Sequence, residues 1–294
     1  MQCLNPFYMR PPTPEEVSSN GSNKWVFGSK NSLNLINNQT GELYEYLPIP
    51  CGKCVSCRLN YSRQWACRIL CEAKLYSSSE CWFITLTYAP EAEPLLLTSK
   101  GTLTLRRKHI QDFKKRLRTN AYRQLGIEGI RTFECGEYGT NSMRPHFHII
   151  VFGLPLNDLV YFFSNELGDI LYRSAFIENC WNYGQITVGE LNFRTASYTA
   201  RYIMKKQKGD DSIIYDDLGI LPPFLSMSLR PGIGKDYFVR NAETIYQDDK
   251  IYLPNGSLTT PPRYFDKLYG IDHVNDIEKI KLKRRLVANL PQSN

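Results

Sequence analysis

The segment PHFHIIVFG, residues 145–153, leaves the chain few conformational choices. Its aromatic and β-branched run reads as a strand ended by glycine. In a strand, residues two apart point to the same face about 7 Å from one another. His146 and His148 therefore face one way, while Phe147 faces the other, into an apolar layer. Two imidazoles so placed can converge on one cation. Upstream, Ile130 to Tyr138 reads as a second strand, joined to the first through the turn formers of GTNSM, which predicts an antiparallel hairpin. That register sets Glu137 opposite Pro145 or His146 and brings Glu134 nearer His148. Alternation sends the two carboxylates to opposite faces, so one joins the histidines unless the strand is bulged. Glu137 is the preferred third ligand. The competing reading is a pair of exposed strand histidines.

Around this hairpin the chain changes character several times. Residues 1 to about 50 are polar, with short β-like runs such as WVF and LYEYLPI that fold onto a cysteine-rich turn. Arg58 to Tyr76 carries Leu59, Trp65, Ile69, Leu70 and Leu75 at helical spacing. WFITLTY, Trp82 to Tyr88, is a strand with Trp82, Ile84, Leu86 and Tyr88 on one face and Phe83, Thr85 and Thr87 on the other. Thr104 is expected to cap a helix running to Leu125, with Ile110, Phe113, Leu117 and Ala121 as its apolar stripe. Leu156 to Ala175 is expected to be helical, Gly184 to Leu191 a strand, and Ser197 to Gln207 a short helix. Beyond Gly209 an acidic stretch (Asp210, Asp211, Asp216, Asp217), Pro222-Pro223 and PGIG interrupt regular structure before a last helix at Asp276 to Asn289. Paired strands favour an α+β fold, an antiparallel β-sheet with helices packed mainly on one face. The expected domains are residues 1–78, a cysteine-rich segment and helix; 79–208, the core; and 209–294, a C-terminal extension.

The chain has 294 residues, 42% of them apolar and 13% aromatic, which excludes a disordered or collagen-like chain. No apolar stretch is long enough for a membrane span, and the N-terminus lacks a signal-peptide pattern, so a soluble intracellular protein is expected. Net charge is +7, from 36 Lys and Arg against 29 Asp and Glu. The positive charge is clustered. Arg106, Arg107, Lys108, Lys114, Lys115, Arg116 and Arg118 form one block, and Lys279, Lys281, Lys283, Arg284 and Arg285 another. The first block is the candidate DNA-binding helix, with a solvated helix face as the bland alternative.

Nine cysteines, an odd number without a secretion signal, argue against a disulfide framework. Cys51, Cys54 and Cys57 stand in register in PCGKCVSCRLN. Zinc needs four ligands, for which Cys3 is the candidate fourth and Cys67 and Cys71 are competitors. With every position filled by protein the zinc would be structural. The alternative is a cluster of reduced thiols packed in a small core. Tyr198 and Tyr202, in SYTARYIMKKQ, lie four apart, which stacks two phenols on one helix face. With 19 tyrosines such a pair arises readily by chance. Its setting beside Arg201, Lys205 and Lys206 adds to it, because cations or a metal nearby stabilise a phenolate.

FITLTY, GEYG, RPHFHIIVFG and YTARYIMKK occur in the order of the HUH endonucleases that initiate rolling-circle replication. The chain resembles more closely the initiators of small single-stranded DNA phages, the Microviridae of gokushovirus type. MQC, PCGKCVSCRLNYSRQWACR, RPGIGKDYF and PPRYFDKL carry that closer likeness, which extends from Cys3 to about Leu268. The resemblance implies an HUH/Rep-like core in which His146, His148 and Glu137 hold Mg²⁺ or Mn²⁺. It implies Tyr198 and Tyr202 as nucleophiles that nick the single-stranded DNA origin. Each attack leaves a 5′-phosphotyrosine and a free 3′-hydroxyl for a host DNA polymerase, and the strands can be rejoined without ATP. Related initiators can place Lys between the tyrosines, where this chain has Arg201; that role passes to Lys205, Lys206 or Arg201 itself. No GxxxxGK followed by Ser or Thr is present, so unwinding is expected from a host helicase, in the cytoplasm of the bacterial host and without a membrane. The alternatives are a non-catalytic nucleic-acid-binding protein with a zinc knuckle and a zinc-dependent hydrolase using His146, His148 and Glu137.

Overall fold

The computed structural model describes residues 3–13, 17, 24–28, 47–139, 142–205, 213–254 and 256–289, with the backbone alone at 47, 201–205 and 285–289. Thr140, Asn141, Lys206, Gln207, Asp210 and Asp211 of the sequence expectations lie outside the described residues. The chain divides into two compact units, Met1–Tyr61 and Ser62–Asn294.

In the first unit, strands β1 (Phe7–Arg10), β2 (Val26–Gly28) and β3 (Leu47–Ile49) form an antiparallel sheet in the order β2-β1-β3. Phe7 pairs with Ile49 and Met9 with Leu47. The start of β1 thus lies beside the end of β3, which brings residues just before β1 next to those just after β3. Helix α1 (Val55–Ala73) follows directly.

The second unit is built on a seven-stranded sheet in the order β10-β5-β6-β4-β9-β8-β7. Its strands are β4 (Cys81–Thr87), β5 (Arg131–Tyr138), β6 (Pro145–Phe152), β7 (Leu159–Ser164), β8 (Ile170–Ser174), β9 (Ile186–Glu190) and β10 (Phe224–Met227), every pair antiparallel. A small hairpin, β11 (Ile251–Tyr252) and β12 (Leu258–Thr259), stands apart from that sheet. The helices are α2 (Arg107–Leu125), α3 (Ala175–Glu178), α4 (Phe193–Lys205), α5 (Ile213–Leu218), α6 (Lys235–Asp248), α7 (Arg263–Tyr269) and α8 (Val274–Asn289).

Strand alternation sorts the core into two layers. Trp82, Ile84 and Leu86 of β4 and Phe147, Ile149 and Val151 of β6 face one way, under Ile110, Phe113, Leu117 and Ala121 of α2. Phe83, Phe133, Ile150 and Phe152 face the other way, under α1, α4, α6, α7 and α8 through residues such as Trp65, Ala196, Phe238, Phe265 and Ile277. The fold is α+β, an antiparallel sheet carrying most of its helices on one face. Each fully buried Phe or Leu contributes about 1.5–3 kcal/mol by leaving water, so both layers are needed to hold the sheet.

Three expectations are corrected. Leu156 to Ala175 is not a helix but the hairpin β7–β8. Its run LVYFFS is aromatic and β-branched, and the turn is tied by Asn165 Oδ1, which accepts from Leu167 N at 3.0 Å and Asp169 N at 2.9 Å. Helix α2 begins at Arg107 rather than at a Thr104 cap, because the Thr104 hydroxyl accepts from Leu221 N at 2.8 Å instead. Beyond residue 209 the chain is more regular than its prolines suggest. Strand β10 follows Pro222-Pro223 and joins the open edge of β5, Phe224 opposite Gly136. Among the described residues no helix is long and apolar enough to cross a membrane.

Candidate functional site

The register of β5 and β6 pairs Glu137 with His146 and Cys135 with His148, all on the layer opposite α2. Glu137 Oε1 lies 2.7 Å from His146 Nε2 and 3.2 Å from His148 Nε2. The three donor atoms lie within 4.8 Å of one another, so the group could hold a metal ion. Glu137 and His148 are buried, at 2% and 5% exposure, and His146 opens to the surface.

The remaining ring nitrogens are anchored. His146 Nδ1 donates to Arg144 O at 3.2 Å, and His148 Nδ1 meets Thr85 Oγ1, from the neighbouring β4, at 3.0 Å. A carbonyl only accepts, so His146 carries its proton on Nδ1. The Nε2 lone pair of the neutral ring then faces a carboxylate oxygen. A cation between them, a second ring proton or a metal ion, removes that repulsion. Burial would raise the Glu137 carboxyl, but the hydrogen bonds and charge of the two histidines outweigh it and hold the group below its ordinary value. Phe83 stacks on His148 at 5.3 Å between ring centroids and fixes the plane of that ring.

Glu134 is not part of this group. It pairs across the sheet with Ile149, on the α2 layer, where it is fully buried and ion-paired with Lys114.

Helix α4 lies over the same face as the histidines. Asn192 and Thr195 start it by exchanging backbone-to-side-chain bonds of 2.9 Å. Ala196 and Ala200 are fully buried, and their small side chains let the helix lie close to the sheet. Tyr198 then sits edge-on to His148, ring centroids 5.3 Å apart, and to Phe83 at 6.2 Å. The residue is 44% exposed. Burial, followed by the charge of Glu137, pushes its phenol up to about 12. Tyr202 is one turn further along α4, with Arg201 and Lys205; the side chains of these residues are outside the described part, as is all of Lys206.

The basic block on α2 sits across the sheet from the histidines. Several of its cations are engaged within the fold. Lys114 neutralises Glu134, Arg106 donates to the carbonyls of Leu95 and Leu97, and Arg116 donates to Cys180 O. Arg107 lies over the Phe224 ring at 3.9 Å, and Lys108 pairs with Asp112. Arg107, Lys108, Lys115 and Arg118 remain exposed.

In the first unit, the β1–β3 pairing brings Cys3 to Cys51, Cys54 and Cys57, whose sulfurs all lie within 4.8 Å of one another. Cys3 Sγ and Cys54 Sγ are 3.8 Å apart, the separation expected for a tetrahedral ion with bonds of about 2.3 Å. Gly52 has φ +71°, a left-handed conformation that closes the CGKC turn. The amides of Lys53 and Cys54 point at Cys51 Sγ at 3.4 and 3.3 Å. These donors lower the Cys51 thiol, and similar backbone bonds bring Cys54 down to about 6, whereas burial pushes Cys57 up to about 12. Cys67 and Cys71 are buried in the core of the second unit instead.

Thr85 and Phe83 were not singled out as site residues in the sequence. The alternation of FITLTY already put them on one face, but pairing that face with His148 requires the β4–β6 register.

Residues 81–207 match the family described as Replication-associated protein ORF2. The chain is 37% identical over 245 residues to Replication-associated protein ORF2 of Spiroplasma virus 4, an alignment covering 82% of this chain and 74% of that one. It is 32% identical over 248 residues to Replication-associated protein VP4 of Bdellovibrio phage phiMH2K, covering 82% and 75%. Replication-associated protein ORF4 of Chlamydia phage 1 is 30% identical over 253 residues, covering 82% and 59%. No solved structure matches the chain.

Proposed function

This chain belongs to the replication-associated protein family of Microviridae-type phages, and from that premise we propose that it initiates replication by nicking single-stranded DNA at the phage origin through a tyrosine. The observation that carries the reading is the convergence of Glu137, His146 and His148 on one sheet face, with the Tyr198 ring 5.3 Å from His148.

Glu137, His146 and His148 would hold the cation, Mg²⁺ or Mn²⁺, whose chemistry when bound is to polarise and align the scissile phosphodiester. Two nitrogens and one oxygen favour Mn²⁺ somewhat. Tyr198 or Tyr202 attacks phosphorus. The phenolic O–P bond forms as the bond to the 3′ oxygen breaks, the phenol loses its proton, and the leaving oxygen gains one to become a 3′-hydroxyl. Arg201, Lys205 and Lys206, from the same turns of α4 or just past its end, would supply positive charge to the transferring phosphoryl group. Two tyrosines allow one to hold the old end while the other cuts. Arg107, Lys108, Lys115 and Arg118 would contact phosphates further along the DNA. Residues 79–208 form the catalytic core. Host helicase and polymerase act with the protein in the cytoplasm of the bacterial host. Cys3, Cys51, Cys54 and Cys57 would hold a structural Zn²⁺, and metal analysis tests this: one zinc per chain, absent from Cys54→Ser.

Incubation with single-stranded origin DNA and Mn²⁺, followed by denaturing electrophoresis, tests the main reading. A metal-dependent protein–DNA conjugate is expected, reduced by Tyr198→Phe or Tyr202→Phe alone and abolished by the two together. A conjugate from the double variant would overturn the nucleophiles. Binding without cleavage would leave a non-catalytic DNA-binding protein, and cleavage without conjugate a hydrolase.

A further inference from the structure

The sheet face that carries His148 continues past it into a cavity of about 490 Å³. Phe83, His148 and Tyr198 wall one side, and the β7–β8 turn with Ile170 and Leu171 walls the other. Thr85, Thr187 and Gly189 leave room at its base, since none carries a long side chain. Its volume falls within the range of about 300–1,000 Å³ typical of small-ligand sites.

On the far side of the cavity the hairpin exposes an aromatic run. Val160, Tyr161, Phe162 and Phe163 are 66%, 63%, 43% and 40% exposed. Phe163 pairs with Leu171, a cavity wall, which sets it on the same face as the cavity. The Phe162 and Phe163 rings touch edge-to-face at 5.0 Å, and the Arg173 guanidinium lies 5.2 Å from the Phe162 ring. From β6 to β7 the sheet order crosses four strand spacings, roughly 19 Å at about 4.8 Å each. An exposed apolar run of this kind marks a binding surface.

We infer that the cavity and the aromatic face of β7–β8 form one continuous track for the bases of the single strand beside the scissile phosphate; this rests on the reading of the site as a DNA-cleaving centre. Charge does not carry the contact. Arg194 is paired with Asp169, and Arg173 with Glu178 at 2.6 Å. What the track offers is ring planes and a stacked guanidinium, which take any base by its π-face. Pairing of β7 with another copy of the chain is disfavoured by the register shift between Tyr161 and Phe163, because a bulge on an edge strand interrupts the ladder a partner would extend.

The test is fluorescence anisotropy with labelled single-stranded oligonucleotides in chelator, comparing the native sequence with Phe162→Ala/Phe163→Ala. The exposed rings make the variant foldable, which circular dichroism checks. A loss of roughly tenfold to a hundredfold in affinity is expected, with the salt dependence of binding unchanged, since stacking and not phosphate contact is removed. In nicking assays KM should rise while kcat holds. The same comparison in a His146→Ala/His148→Ala background isolates binding from cleavage. If the native protein never nicks but the aromatic variant loses affinity, the track stands and the endonuclease reading falls. Undiminished affinity overturns the track, and so does a change in oligomeric state by light scattering without a change in affinity, which would make the hairpin an interface between copies.

Discussion

Thr85 reaches across from β4 to His148 Nδ1, and Arg144 O holds His146 Nδ1, so each imidazole presents Nε2 to the same carboxylate. Ring orientation is therefore set by neighbours outside the donor group. Thr85→Val keeps the volume and removes the hydroxyl. It should weaken Mn²⁺ binding about tenfold to a hundredfold by calorimetry, with little change in melting temperature, and Thr85→Ser should restore it. An unchanged affinity in the valine variant would remove Thr85 from a positioning role. A different histidine governs stability on the opposite layer. His109 meets Tyr88 Oη at 3.0 Å and stacks on Tyr183 at 4.1 Å. Burial first, then the Arg106 charge, depresses it below its ordinary 6.5. A neutral form favoured by folding means the unfolded chain takes up more protons in that window. The stabilisation is present above pH 6.5 and is lost as pH falls through the lower folded value. Urea titrations from about pH 7.5 to about pH 5 should show this slope, and His109→Asn should flatten it; equal slopes would exclude His109 as the cause. The histidine pair was legible from spacing alone. The role of Thr85 was not, because it depends on which strand lies beside β6.

Strands and helices bring two distant segments to one face and send a third to the other. The β5–β6 hairpin was readable because GTNSM and two alternating runs fix its register, and Pro145–Phe152 is the observed strand. The β7–β8 hairpin was misread because a run exposed on both faces lacks the apolar–polar alternation that betrays a strand. Strand β10 was missed because four residues after two prolines carry almost no local signal; the open edge of β5 makes it a strand. The α2 stripe was legible, but the use of its cations was not. Lys114 serves a fully buried carboxylate, Glu134, and ties α2 to β5. Removing one partner of such a pair leaves an uncompensated charge, so Lys114→Met should cost about 3–5 kcal/mol in urea unfolding. Lys114→Met/Glu134→Leu should recover most of it. A single variant as stable as the native protein would show that Lys114 is available to DNA instead.

At the scale of the whole molecule, each unit gathers its own donor group by the same device, antiparallel pairing that returns one end of a strand to another. In the first unit Cys3 joins the cysteine turn through β1 and β3, and in the second Glu137 joins His146 and His148 through β5 and β6. The sequence named both groups from residue type and spacing. It could not choose between Glu134 and Glu137 without register, nor between Cys3 and the buried Cys67 and Cys71 without the fold of the first unit. The replication role follows from family membership, and the central claim is that a phenol of α4 becomes covalently joined to DNA at the Glu137–His146–His148 group. Peptide mass mapping of the conjugate formed with Mn²⁺ and origin single strand addresses it directly. A nucleotide phosphate is expected on Tyr198 or Tyr202, and none when His146 and His148 are both replaced by alanine; a nucleotide on any other residue, or an adduct that survives loss of the two histidines, would contradict it.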